Sequence, residues 1–207
     1  MRLKSTERAV LIFTLLYVAG FMAYFMVIGN REFLGYLATM VGLIALIAWG
    51  HHKVRFPLPL LWAFTGWGLA HMAGGGIPVN GAVLYNLPLL PIAGQGELAI
   101  LKYDQLVHFY GFGITAWLLW HVLVSQYPEM RGTKTLHVFA ALSSIGLGAV
   151  NEIVEFSAVM LVANTNVGGY FNTALDLVFN AAGAVTATLV CALWPAPEAL
   201  HRMPRTE

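Results

Sequence analysis

The stretch YDQLVHFYGFGITAWLLWHVLV, residues 103–124, decides the fold class. It is about as long as the ~20 residues that cross a hydrocarbon core roughly 30 Å thick. Beyond its first turns it is continuously apolar, which reads as a membrane-spanning helix and excludes a transmembrane β-barrel, whose strands alternate. Five comparable runs accompany it: Ala9–Gly29, Phe33–Trp49, Phe56–Met72, Leu136–Val162 and Phe171–Trp194. The chain of 207 residues is 58% hydrophobic and only 10% charged, against about 25% charged residues in a soluble domain. The expected architecture is therefore an all-α polytopic membrane protein, a single transmembrane domain over residues 1–207. It forms a bundle of six transmembrane helices with a long outer loop between the third and fourth.

Nucleic-acid binding, a disulfide framework and a cleaved leader fall away early as expectations. A net charge of +1 without a basic cluster gives nucleic acid nothing to bind. A single cysteine, Cys191, permits no intrachain disulfide. Although Arg2, Lys4 and Arg8 precede the first run, that run outlasts a signal-peptide core and no A-x-A-like site follows, so it reads as a retained first helix. Pro57 and Pro59 open the third run, where a missing N–H is cheapest, and small residues from Ser143 to Ala149 suit close helix packing.

Basic residues orient the bundle. With the N-terminus inside, nine of the eleven lie in inner segments (Arg2, Lys4, Arg8, Lys53, Arg55, Arg131, Lys134, Arg202 and Arg205) and only Arg31 and Lys102 face out. The positive-inside rule then predicts a multi-pass inner-membrane protein with both termini cytoplasmic.

The acids break the pattern. Glu7, Glu129, Glu198 and Glu207 fall in inner segments and Glu32 and Glu97 in outer ones, but Asp104, Glu152, Glu155 and Asp176 fall inside spans. At roughly 2.5–3.5 kcal/mol for an ionisable residue at a helix centre, four uncompensated acids would cost on the order of 10 kcal/mol. No arginine lies within a span. Histidine, a bound cation, protonation or a wet cavity must compensate.

The topology sets these groups at one depth, in the outer half. Asp104 and His108 share a face at i,i+4, Glu152 and Glu155 share one at i,i+3, and Asn172, Asp176 and Asn180 follow in steps of four. Asn151 adjoins Glu152, and His71 ends the third run on the same side. Taken singly, His71 reads as a core histidine, His121 and His137 as interfacial, and Asn172 and Asn180 as glue between helices. Trp49, Trp120 and Trp194 read as interface anchors. Four acids around His108 are more than helix packing needs. Between the third and fourth runs, Ala73–Lys102 is long, apolar and rich in glycine and proline, either a connector resting on headgroups or a lid or re-entrant segment over the polar cluster.

At these residues the chain resembles known families. His71-Met72 with the glycines after it, the apolar loop, and Lys102-Tyr103-Asp104-Gln105-Leu106-Val107-His108-Phe109-Tyr110-Gly111-Phe112 look like the YjdF-type family of bacterial inner-membrane proteins, whose core pattern is N-x-YDRxGH. The spaced set Asp104 to His108, Asn151-Glu152, then Asp176 with Asn180 and Gly183 is similar to the VanZ-like pattern D-x3-H, NE, D-x3-N-x2-G. The likeness spans roughly Trp67 to Val185. Gln105 replaces the arginine of the first pattern, and Glu155-Phe156 its Glu-Trp pair. The resemblance implies a shared helical core and one common site at His71, Asp104, His108, Glu152, Glu155 and Asp176. It implies little chemistry, since VanZ-like proteins are linked mainly to glycopeptide-antibiotic resistance.

Carboxylates with one or two imidazoles suit a divalent cation such as Zn, Mn or Fe. The leading reading is a metal-dependent hydrolase or transferase acting on a lipid or lipid-linked substrate, with Asp104, His108, Asp176 and His71 as ligands and Glu152 and Glu155 as the acid/base pair. Asn151, Asn172 and Asn180 support them. The alternative is a non-catalytic accessory or structural subunit bound to a membrane-protein partner. A proton-coupled transporter ranks below, because the inner halves offer only Thr14, Thr39, Ser143 and Ser144 as a path, and haem on His71 and His108 would leave the acids unexplained. Orientation is testable by single cysteines at Asn30 and Gly132 in a chain lacking Cys191. An impermeant thiol reagent applied outside should label position 30 only, and labelling of 132 alone would reverse the topology.

Overall fold

The computed structural model describes residues 3–90, 92–94, 98–161 and 168–193. Val162, Trp194, Glu97 and the charged residues Arg2, Glu198, Arg202, Arg205 and Glu207 of the expectations above lie outside the described residues. The described residues form an all-α fold with six α-helices: α1 (Ser5–Ile28), α2 (Arg31–Val54), α3 (Leu58–Gly76), α4 (Tyr103–Gln126), α5 (Lys134–Leu161) and α6 (Tyr170–Leu193). Five of them, all but α3, are long and apolar enough to cross a membrane. In α3 two tryptophans, His71 and five glycines dilute the hydropathy over 19 residues.

Local chemistry sets the helix ends. Asn30 caps α2 by accepting from the Phe33 N–H at 3.1 Å, and the Thr133 hydroxyl accepts from the Leu136 N–H at 3.2 Å at the start of α5. Pro57 precedes α3 and Pro59 sits in its first turn, as their missing N–H groups favour. The third helix runs further than expected, so Gly74, Gly75 and Gly76 form its last turn and the connector begins at Ile77.

The described part of that connector is folded. Two short antiparallel strands, β1 (Pro78–Val79) and β2 (Ala82–Val83), meet at Asn80-Gly81, both at positive φ (51° and 82°), the backbone a tight two-residue hairpin turn requires. A 3-10 turn, Leu84–Asn86, follows. The connector returns to α4 through the Tyr103 N–H donating to the Leu87 carbonyl at 2.9 Å. Buried Gln105 then ties it down, its Oε1 accepting from the Leu101 and Lys102 N–H groups and its Nε2 donating to the Ala99 carbonyl. Gln105 thus serves the loop and the start of α4 rather than the acids.

Successive helices alternate in direction, so one end of the bundle gathers the last turns of α1, α3 and α5 with the first turns of α2, α4 and α6. Phe25, Phe33 and Met72 pack together there. At the opposite end Trp120, Val124, Leu136 and Ala140 form a second cluster. There His51 lies 3.4 Å from Glu7 and takes the Phe56 N–H, and His121 sits 3.2 Å from the Val54 carbonyl oxygen. His121 is therefore buried between helices, not interfacial as expected, because it satisfies a carbonyl where α2 ends. Half of the apolar window of α4 is buried, against 17% for α1 and for α2, so α4 is the central helix. It packs most extensively on α6, then on α5 and α3.

The α4–α6 crossing depends on Gly183. A Cβ there would lie 2.0 Å from the Phe109 carbonyl oxygen, so the two backbones approach closely only because α6 has no side chain at this point. One and two turns earlier the same face of α6 carries Asn180 and Asp176, both fully buried. Gly183→Ala should push α6 away and cost about 1–3 kcal/mol, as overpacking typically does. Gly146→Ala, with nothing within 4 Å of its Cβ position, should change stability little. Thermal unfolding in detergent measures both, and equal behaviour would remove Gly183 from the account.

Candidate functional site

The close α4–α6 crossing brings the polar residues of α4, α5 and α6 around one imidazole. His108 is buried, with its Nε2 3.5 Å from Asp104 Oδ1 and 3.9 Å from Glu155 Oε1, and its Nδ1 3.6 Å from Glu152 Oε1. Nδ1 also lies 3.0 Å from Asn180 Oδ1. An amide oxygen only accepts, so the Nδ1 proton points at Asn180, and Nε2, before any second proton or cation is added, faces two carboxylates. Three acceptors facing one another require a shared positive centre, either a second proton on the ring or a metal ion.

Asn172 organises the acids further along α6. Its Nδ2 donates to Asp176 Oδ2 at 2.5 Å and to Asp104 Oδ2 at 3.2 Å, and its Oδ1 accepts from the Lys102 ammonium. Asn151 holds Glu155, Nδ2 to Oε1, at 2.8 Å. Two groups of three place ligand atoms within 4.8 Å of one another: Asp104, His108 and Asp176, and His108, Glu152 and Glu155. Both groups could hold a metal ion. The polar network is nevertheless incomplete, since both carboxylate oxygens of Glu152 and Oδ1 of Asp176 are buried without a hydrogen bond among the described residues.

A cavity opens beside this cluster, about 50 Å³ on the scale where one water needs roughly 10–15 Å³. Asp104, His108, Glu155, Asn151 and Asn172 of α4, α5 and α6 line it together with Phe33, Tyr36, Trp67, His71 and Tyr85 of α2, α3 and the connector. That suits an ion with a few waters, or one polar group of a larger ligand. His71 stacks on Trp67 at a centroid distance of 5.4 Å and joins neither group of ligand atoms.

The structure thus gathers Asp104, His108, Glu152, Glu155 and Asp176 at one place, with Asn151, Asn172 and Asn180 bonded to them and His71 across the cavity. Asn180 meets the imidazole itself, so of the two expectations for it, glue between helices and support of the site, the geometry agrees with support. Lys102, expected on the outer side, stands at the start of α4 at that end of the bundle. It is 6% exposed and joins the network through Asn172, because the connector folds over the first turn of α4. Glu32, expected in an outer segment, is buried in the first turn of α2 and lines the cavity. Tyr85 is the other residue missed. Burial pushes its phenol well above the ordinary range, so it keeps its proton. The adjacency of Lys102 to Asp104 could have signalled the first. Tyr85 carried no signal, since its place depends on the fold of the connector.

The comparisons with known proteins bear on the whole chain. No curated protein and no solved structure matches it. Residues 9–196 match a family described as "Predicted membrane protein (DUF2238)", and the chain belongs to that family.

Proposed function

We propose that this member of a membrane-protein family binds a divalent cation at Asp104, His108 and Asp176, and uses it in hydrolysis or group transfer on a lipid or lipid-linked substrate. In this reading six helices span the inner membrane, α3 included because its neighbours shield its polar residues. Both termini are cytoplasmic, the site lies in the outer half of the bilayer, and the connector covers it as a lid. The resemblance of the motif set to YjdF-type and VanZ-like proteins supports a common core around the same residues.

The observation that carries the proposal is the unpartnered carboxylate oxygen of Asp176 beside His108, whose Nε2 already faces Asp104. A cation among them would satisfy all three, and carboxylate with imidazole is a donor set that Zn, Mn and Fe accept. Bound there, the metal would polarise a phosphoryl or carbonyl oxygen and acidify a water. Glu155 lines the cavity and is held by Asn151, which suits it to take the proton. Glu152 lies on the Nδ1 side of His108, where its charge would orient the ring. Lys102 and Asn172 hold the two aspartates in place.

Charge and fold can be separated by substitution. Asp104→Asn keeps volume and removes a ligand charge, so Zn²⁺ affinity of chelator-stripped protein should fall at least about tenfold while the helical circular dichroism and melting temperature hold. Titration calorimetry measures the affinity. Unchanged affinity in the variant, or no binding by the unaltered protein, would contradict the proposal. A purely structural cluster should instead become as stable or more so in Glu152→Gln, which removes buried charge and keeps hydrogen-bonding capacity.

A further inference from the structure

We propose that Tyr85, delivered by the connector, is a positioning residue that holds His71 as its Nδ1–H tautomer and so presents His71 Nε2 to the cavity as a hydrogen-bond and proton acceptor, opposite the carboxylates. This rests on the cation-site reading for its purpose but not for its geometry.

The tautomer follows from counting protons. The Tyr85 oxygen lies 2.9 Å from the His71 carbonyl oxygen and 2.5 Å from His71 Nδ1. A carbonyl can only accept, so the single phenolic proton belongs on that bond. The ring nitrogen must then supply the proton for the other. The opposite assignment would set the phenolic oxygen and the carbonyl oxygen against each other as two acceptors. Because burial keeps the phenol protonated, the donor to the carbonyl persists.

Packing fixes the same arrangement. The Tyr85 ring occupies the space a side chain at residue 74 would need, with a Cβ at Gly74 falling 2.3 Å from it. Trp67 stacks on one face of His71, and the Phe33 and Tyr36 rings lie about 6 Å from it. The imidazole therefore cannot turn freely. Nε2 takes no hydrogen-bond partner among the described residues, and His71 lines the cavity that Asp104, His108 and Glu155 line from the other side.

This divides the labour between two histidines. Each donates from Nδ1, His108 to Asn180 and His71 to Tyr85, and with the cation bound each turns an Nε2 lone pair inward. His108 meets carboxylates and so faces a cation. His71 stands outside both ligand groups, across a space sized for a few waters, and so faces a donor: a water or a hydroxyl held between it and the cation. The folded connector thus completes the site chemically as well as covering it.

Histidine-selective ¹⁵N labelling and two-bond ¹H–¹⁵N correlation spectra of the full chain in detergent test the tautomer without any metal. His71, assigned by comparison with His71→Gln, should show a protonated Nδ1 and an unprotonated Nε2 at neutral pH. Tyr85→Phe, which keeps the ring and removes the oxygen, should shift His71 toward the Nε2–H form. An Nε2–H tautomer in the unaltered protein, or an unchanged tautomer in Tyr85→Phe, would overturn the proposal. In calorimetric titration His71→Gln should bind Zn²⁺ within about twofold of the unaltered protein, whereas a loss of tenfold or more would make His71 a ligand and overturn its role as acceptor. Should the unaltered protein bind no Zn²⁺, the cation site fails, and the tautomer result still decides this inference.

Discussion

The rest of the structure depends on a deficit of positive charge around His108. Asp104, Glu152, Glu155 and Asp176 meet at this imidazole, and Lys102 is the buried ammonium that reaches them, through Asn172. Even with His108 doubly protonated, two cations face four acids among the described residues of this cluster. In a medium where an unpaired charge costs several kcal/mol, that imbalance cannot be a by-product of helix packing. It must be met by an ion, by protons, or by water, and the cavity beside the cluster admits any of them.

The backbone is arranged to make this cluster. Gly183 lets α6 approach the Phe109 carbonyl, and the approach brings Asn180 and Asp176 level with His108. The alternation of helix direction brings the α5 acids to the same level. The aromatic wall of the cavity comes from α2, α3 and the connector, and it closes on the cluster because Gly74 and Gly75 leave room for Tyr85 and Phe33. Apolar residues elsewhere are mostly exposed, as lipid-facing surfaces require. Buried specificity is concentrated at one end of α4.

Much of this was legible in the sequence because helical periodicity is short-ranged. The steps Asp104 to His108, Glu152 to Glu155 and Asn172 to Asp176 to Asn180 place each set on one face whatever the tertiary fold, and up-and-down topology supplies the common depth. Two kinds of feature were not legible. Helix ends depend on local competition, so Gly74, Gly75 and Gly76 continued α3 where their composition suggested a loop. Positions set by the return of a connector have no sequence period at all, which hid Tyr85 and the burial of Lys102. The asparagines were read both as support for the site and as glue between helices, because an amide that orients an imidazole and one that ties two helices look the same along the chain.

The central claim is that this cluster exists to hold a divalent cation. Anomalous diffraction from crystals grown with Zn²⁺, collected on both sides of the metal edge, tests it most directly. The account predicts one peak between His108 Nε2 and the carboxylates of Asp104 and Asp176. No peak at His108, or a peak only at the opposite end of the bundle near Glu7 and His51, would contradict it.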